Sequence, residues 1–336
     1  DQGLIQYDRS SLGKKIHWLT TSNSRVSNDH ITSIYAGHNR IWIGTYQGLN
    51  LLSLQRFRHF DRSNSAIANE VMAFTEDSSG RVWIGTYAGL YFRVIDHLDA
   101  RHIYHEKAPV ALSDERVMTL DSIDVEVWIG QREGGVLVID TSNEYSELYS
   151  EELQQLRGAS ITRLLSLPGP NVVLIATISQ GLMVFDRDSK RLRRIGQDPA
   201  RVTYIALLSD SAVVFGNENS LATFDTEEGS TKAVSPRFPD ASGNTIVSIA
   251  VISHRRLLLG TLNDGLYEGH LKDPISPEIS LYRIEVGDLD AQTVYSLLPT
   301  DIRVWLSTSN GLISLEKGLE RPRSFNTSDG LQGIDF

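Results

Sequence analysis

The sequence predicts an all-β fold made of repeats, and two observations support that prediction. The first is a short apolar run with a small fourth residue, seen as VWIGT at residues 82–86. It occurs seven times between residues 41 and 308, and its small residue recurs every 40 to 47 positions. The second is the Gly-Leu pair that follows the run in most copies and indicates a turn into another strand. Such a period is typical of β-propeller blades, so we expect seven four-stranded antiparallel blades, with eight blades as the alternative.

The predicted blade has four strands, of which the apolar run is the second. Both faces of this strand are apolar, so it must lie between neighbouring strands and layers and not at a wet surface. The first strand precedes it, as in VMAF at residues 71–74, and the Gly-Leu pair opens the third. The fourth strand is charged, as in KRLRRI at residues 190–195, which is expected of an exposed sheet edge.

Two positions of the run are predicted to pack between blades. The small residue admits the adjacent blade at close range, and the bulky residue two places earlier fills the remaining space. The residues to which we assign this structural role are Trp42, Gly44, Trp83, Gly85, Trp128, Gly130 and Trp305.

Length and repeat count predict a single propeller domain over residues 1–336. Within it, residues 1–20 are expected to form a partial blade, residues 21–331 the seven repeats, and residues 332–336 the start of a further strand. Since the sequence starts and stops within a repeat, we expect this chain to be part of a longer protein.

Composition excludes several classes of function. The net charge of −10 argues against a surface that follows nucleic-acid phosphates. The absence of cysteine excludes thiol catalysis and zinc sites built on Cys, and the nine histidines are scattered. We therefore predict no nucleic-acid partner, no metal and no cofactor. No apolar run approaches the roughly 18 residues of a membrane span, so contact with a membrane is expected only through segments outside this chain.

The repeat resembles the two-component regulator propeller. The resemblance is strongest over EDSSGRVWIGT at residues 76–86, where a turn with Asp and Gly leads into the apolar run. It implies the periplasmic sensor region of a bacterial membrane receptor, followed by an all-β domain, a transmembrane helix and a histidine kinase or diguanylate cyclase output. Some members of that family respond to carbohydrate fragments.

The resemblance thus predicts a non-catalytic, extracytoplasmic sensor of a small molecule such as an oligosaccharide. Its expected partners are the following receptor domains and a homodimer partner. One alternative is a protein interaction scaffold like the WD-repeat propellers. Another is a propeller enzyme such as a lyase, which the sequence disfavours because no cluster of catalytic residues or nucleophile motif is present.

Strand alternation predicts where a ligand would bind. In a four-stranded blade, the turn after the second strand and the connection into the first strand emerge at the same end, so the residues that follow each apolar run must form one rim. Aromatic and charged side chains at this end of the first three repeats offer a flat apolar face with hydrogen-bonding groups. The predicted ligand-binding residues are Tyr46, Gln47, Tyr87, Arg132, Glu133, Asp29, Glu70 and Arg116.

Overall fold

The computed structural model describes most of the chain between residues 70 and 325, and several strands before it. The described residues are 4–7, 16–19, 21, 31–37, 40–45, 48–53, 70–95, 103–108, 110–143, 145–167, 171–196, 201–217, 220–237, 245–253, 255–262, 264–272, 278–285, 293–316, 318–325 and 331. The chain divides into two compact units, residues 1–58 and residues 59–336. The single domain over residues 1–336 stays a prediction.

Residues 1–58 contain two small antiparallel sheets. Strands β1 (Leu4–Tyr7) and β2 (Ile16–Leu19) pair with each other. Strands β3 (Ile31–Gly37), β4 (Arg40–Thr45) and β5 (Gly48–Ser53) form a three-stranded sheet in that order. The first copy of the apolar run forms β4, which contains Trp42 and Gly44.

Within residues 59–336, the described strands form six four-stranded antiparallel blades, each with its strands in chain order. The inner strands are β6 (Val71–Glu76), β10 (Val117–Ile123), β14 (Ile161–Leu167), β18 (Tyr204–Ser209), β22 (Ile246–Ser253) and β26 (Val294–Pro299). The second strands are β7 (Val82–Thr86), β11 (Glu126–Gln131), β15 (Val172–Thr177), β19 (Ala212–Gly216), β23 (Arg256–Thr261) and β27 (Arg303–Thr308). Each blade is named below after its inner strand.

The remaining strands complete these blades. The third strands are β8 (Gly89–Ile95), β12 (Val136–Asp140), β16 (Leu182–Asp186), β20 (Leu221–Asp225), β24 (Leu266–Leu271) and β28 (Gly311–Glu316). The outer strands are β9 (Ile103–Lys107), β13 (Ser146–Leu148), β17 (Arg191–Ile195), β21 (Thr231–Arg237), β25 (Glu278–Ile284) and β29 (Arg323–Phe325). A 3₁₀ helix, Glu152–Leu156, follows β13.

The predicted count of seven blades, with eight as the alternative, is wrong, because the propeller has six four-stranded blades. The all-β class and the antiparallel four-stranded blade are confirmed. The error arises because counting the apolar run counts second strands, and a second strand does not guarantee a complete blade. The first copy, in β4, belongs to a sheet of three described strands. The charged segment at residues 56–60, which would have supplied its outer strand, lies outside the described residues.

Each pair of consecutive blades shares one hydrophobic cluster. Trp83 of the β6 blade packs with Val117 and Val127 of the β10 blade, and Trp128 of the β10 blade packs with Ile161 and Phe185 of the β14 blade. Three further clusters join the β14 to β18, β18 to β22, and β22 to β26 blades. The core therefore consists of layers between blades, as expected of strands that are apolar on both faces.

The structure describes the surroundings of several of the residues to which the structural role was assigned. Trp83 and Trp128 are both fully buried between blades. A Cβ atom added to Gly85 would lie 2.6 Å from Cγ1 of Val117 on the next blade, and one added to Gly130 would lie 2.7 Å from Cγ2 of Ile161. Trp305 is partly buried and stacks on Phe325 of its own blade, with ring centroids 5.6 Å apart.

The outer edges of two blades are joined. Strand β21 pairs in parallel with β25, with Ser235 opposite Glu278, and this pairing merges the β18 and β22 blades into one eight-stranded sheet. The charged edge predicted at residues 190–195 lies mostly in β17, the outer strand of the β14 blade, where Arg191, Arg193 and Arg194 are exposed.

Candidate functional site

A recurring backbone hydrogen bond builds one end of the blades. The residue after the second strand donates its N–H to the carbonyl oxygen of the residue before, or next to, the inner strand of the same blade. The pairs are Tyr87 to Glu70 (3.1 Å), Arg132 to Arg116 (2.9 Å), Ile178 to Ser160 (3.1 Å), Leu262 to Thr245 (2.9 Å) and Ser309 to Thr293 (3.1 Å). The two kinds of connection therefore meet at the same end of each of these blades, as strand alternation predicts.

Tyr87 and Arg132 occupy equivalent positions of this rim on consecutive blades. The central guanidinium carbon of Arg132 lies 6.0 Å from the centroid of the Tyr87 ring, which is within the range of a cation–π contact. Arg132 is exposed and Tyr87 is half-buried. The pair presents an aromatic ring and a cation side by side at the surface.

Arg116 lies beside this pair and is fixed by two carboxylates. Its Nε donates to Oδ1 of Asp114 at 2.9 Å, and one terminal nitrogen donates to Oδ2 of Asp114 at 2.8 Å and to Oε2 of Glu133 at 3.0 Å. The Asp114 side chain is only 11% exposed, whereas that of Glu133 is 66% exposed. Arg116 therefore contributes a fixed, largely neutralised group, while Glu133 keeps most of its carboxylate open to solvent.

Asp114 joins the two connections of the β10 blade. Besides the Arg116 guanidinium, it accepts hydrogen bonds from the backbone N–H groups of Arg116 (3.0 Å) and Glu133 (2.8 Å). The hydrogen bond from the Arg116 side chain is the main cause that lowers the pKa of Asp114, and the backbone donors act in the same direction against the opposing effect of burial. The two carboxylates likewise raise the pKa of Arg116.

Gln131 stands where most other blades have a Thr, and its side chain helps to hold the connections of the β10 blade together. In four other blades a Thr at this position donates its hydroxyl to the Gly carbonyl at or next to the start of the third strand; these residues are Thr86, Thr177, Thr261 and Thr308. Gln131 is longer, and its Oε1 instead accepts the backbone N–H of Asp114 at 2.8 Å. Its side chain is fully buried, and its Nε2 has no hydrogen-bond partner among the described residues.

The structure brings five of the eight predicted ligand-binding residues to one sector. Tyr87 and Glu70 lie on the β6 blade, and Arg116, Arg132 and Glu133 lie on the β10 blade. Tyr46, Gln47 and Asp29 lie outside the described residues. Sequence reasoning missed Asp114 and Gln131. Gln131 could have been recognised from the sequence, because it replaces the Thr found at this position of most repeats. Nothing in the repeat pattern distinguishes Asp114.

Among the residues that the structure describes, no group of three or more His, Asp or Glu side chains is arranged to hold a metal ion. Over that same part of the chain, no helix combines the length and apolar character that crossing a membrane requires.

Comparison with protein families gives one match. The family model of the two component regulator propeller matches residues 65–88. This stretch contains β6, the turn at residues 77–80 and β7. Residues 65–88 are thus similar to a repeat of that family. The resemblance drawn from residues 76–86 is therefore confirmed. A sequence comparison with curated proteins finds no match.

Solved structures share the propeller fold. The extracellular domain assigned to the hybrid two component system BT3049 from B. thetaiotaomicron superposes with a TM-score of 0.60 at 14% identity, covering 83% of this chain and 38% of that one. For the extracellular domain assigned to the hybrid two component system BT4673 from the same organism, the TM-score is 0.59 at 16% identity, with 98% and 46% covered. The RRP9 WD40 repeats give a TM-score of 0.55 at 14% identity, with 76% and 79% covered.

At these identities the likeness establishes the fold, which two component regulator propellers share with other repeat proteins. The chain covers about half or less of the length of the B. thetaiotaomicron domains.

Proposed function

We propose that this chain is the ligand-sensing module of a bacterial transmembrane signalling receptor, that it lies in the periplasm, and that it acts without catalysis. The observation that carries the proposal is the two component regulator propeller repeat at residues 65–88. The similar B. thetaiotaomicron structures support it, since they are extracellular domains of two component systems. The membrane anchor and the output domain would belong to other parts of the receptor.

The ligand-binding sector we propose is the rim formed by the β6 and β10 blades. The half-buried ring of Tyr87 supplies a flat apolar face, and Arg132 and Glu133 supply a donor and an acceptor next to it. Arg116 donates a hydrogen bond to the Glu133 carboxylate, and Asp114 accepts one from the backbone N–H of Glu133. An aromatic face flanked by charged hydrogen-bonding groups suits a small polar molecule such as a carbohydrate fragment. Tyr46, Gln47 and Asp29 remain predicted members of the sector, and no cofactor is needed.

The partners follow from this assignment. A sensor must pass its ligand-bound state to the following receptor domains, and a homodimer is the simplest arrangement in which two output domains meet.

A protein interaction scaffold is the second candidate. Its support is the fold similarity to the RRP9 WD40 repeats, which covers 76% of this chain. A scaffold would bind a macromolecule across one face and would show no response to small ligands at the Tyr87 sector.

Thermal shift measurements with a panel of oligosaccharides and small metabolites test the sensing proposal. We expect at least one compound to raise the melting temperature of this chain, because binding to the folded state stabilises it. We expect mass spectrometry to recover that compound unchanged after prolonged incubation, as a non-catalytic module requires. A panel with no responding compound would favour the scaffold, and conversion of the compound would indicate an enzyme.

A further inference from the structure

A cleft of about 300 Å³ lies at the same end of the β10 blade as the rim. Three connections enclose it: residues 111–113 before β10, residues 133–134 after β11, and residues 150–158 after β13, which include the 3₁₀ helix. Its lining is mainly polar, and Val136, Leu137 and Leu153 contribute to the smaller apolar part. A volume of this size is at the lower end of the range for small-molecule sites.

The walls of the cleft are fixed by backbone contacts. Gly135 donates its N–H to the carbonyl oxygen of Ala159 at 3.1 Å, and Ala159 donates to that of Leu156 at 2.9 Å. Gly135 has a positive φ of 74°, and an added Cβ would lie 2.3 Å from the carbonyl oxygen of Leu156. The end of the 3₁₀ helix is therefore packed directly on the turn after β11.

Opposite charges line this cleft without neutralising each other. Glu147 and Arg157 both line it and are both exposed. Neither side chain forms an ion pair or hydrogen bond with another described residue. The third charged residue of the lining, Glu133, is paired with Arg116 at 3.0 Å. One open carboxylate and one open guanidinium thus remain, and the hydroxyls of Ser113 and Ser150 lie in the same lining.

We propose that this cleft binds a small zwitterion with an apolar side chain, either a free amino acid or a short unblocked peptide. The ammonium group of the ligand would pair with Glu147, and its carboxylate would pair with Arg157, whose planar guanidinium suits a carboxylate. The apolar side chain would contact Val136, Leu137 and Leu153. Binding to this cleft does not depend on the proposed sensing function. Only its role as the signal that the receptor detects rests on that function.

Titration calorimetry on the 336-residue chain tests the proposal with leucine and leucyl-leucine as probes. These two probes distinguish the amino acid from the peptide. We expect one of them to bind, and we expect its N-acetylated and C-amidated forms, which each lack one charge, to bind at least tenfold more weakly.

Two variants connect the effect to the cleft. Arg157→Gln and Glu147→Gln should each weaken binding at least tenfold without changing the melting temperature, because both side chains are exposed. In Arg157→Gln, amidation of the ligand should cause no further loss of affinity, because the guanidinium that would pair with the ligand carboxylate is absent. Arg191→Gln and Glu227→Gln, at exposed positions of the β14 and β18 blades, are the matched controls and should bind normally.

Failure of both probes to bind, or binding that both variants retain in full, would overturn the proposal. The outcome is separable from that of the proposed function. Binding in the cleft without any response of the full-length receptor would support the site and contradict its role in sensing. A carbohydrate response at Tyr87 and Arg132 without binding of either probe would support sensing and overturn this site.

Discussion

The indole N–H of Trp128 donates a hydrogen bond to the buried carboxylate of Glu126, with 2.9 Å between Nε1 and Oε2. The same carboxylate accepts the hydroxyl of Tyr149 at 2.6 Å and Nε of Arg187 at 3.1 Å. Arg187 follows β16, so this network joins the β10 blade to the β14 blade. Burial, assisted by the hydrogen bond to Glu126, raises the pKa of Tyr149 to about 12. The large residue of the apolar run is thus fixed by a polar contact as well as by packing.

Replacing Glu126 should strongly destabilise the fold. Glu126→Ala removes the buried partner of Arg187, whose side chain is 11% exposed, and leaves the exposed carboxylate of Asp124 at 3.1 Å as its remaining ion-pair partner among the described residues. Removing one partner of a buried ion pair typically costs about 3–5 kcal/mol. Urea unfolding followed by circular dichroism measures this loss. The control is Glu227→Ala at an exposed position, which should stay within about 0.5 kcal/mol of the parent chain. Equal stability of the two variants would contradict the account of this network.

Enlarging Gly85 should force the β6 and β10 blades apart. A Cβ atom there would lie 2.6 Å from Cγ1 of Val117, which is closer than two carbon atoms can approach. Overpacking of this kind costs about 1–3 kcal/mol, so Gly85→Ala should lower the melting temperature and Gly85→Val should lower it further. Gly318→Ala is the matched control, since no atom lies within 4 Å of its added Cβ. An unchanged melting temperature in Gly85→Val would refute the close approach of the blades.

Asp114 should make part of the stability depend on pH. Its pKa is lowered in the folded protein, mainly by the hydrogen bond from Arg116, so its ionised form favours the folded state. That contribution is complete above the ordinary Asp value of about 3.9 and is lost as the pH falls through the lower folded value. The stability difference between the parent chain and Asp114→Asn should therefore shrink on acidification. The urea midpoints of both chains, measured from about pH 6 to about pH 2, report this stability difference. A difference that does not vary with pH would contradict this role.

The repeat makes much of the fold predictable. The apolar run is buried on both faces of β7, β11 and β15, and the Gly residues predicted to admit the next blade do so at Gly85 and Gly130. These features depend on local spacing and side-chain size, which a sequence displays directly. The number of blades was not predictable in this way, because it depends on the fourth strand. That strand is short and variable: β13 and β29 have three residues each, whereas β21 has seven.

The candidate site was predictable in part. Strand alternation predicts equivalent rim positions for Tyr87 and Arg132, since topology fixes where each turn emerges, and the guanidinium carbon of Arg132 lies 6.0 Å from the centroid of the Tyr87 ring in the structure. The cleft beside them was not foreseen, because it depends on how residues 150–158 fold back on Gly135. No periodic pattern specifies that connection, and its 3₁₀ helix occurs in this blade only among the described residues.

The rim sector carries the central claim, and titration calorimetry with the panel compound that gives the largest thermal shift tests it most directly. The chains compared are the parent, Tyr87→Ala, Arg132→Ala and, as a control at an equivalent rim position of another blade, Ile178→Ala. If the Tyr87 sector senses the ligand, Tyr87→Ala and Arg132→Ala lose binding at an almost unchanged melting temperature, and Ile178→Ala binds like the parent. Binding of equal strength in all four chains would contradict the claim.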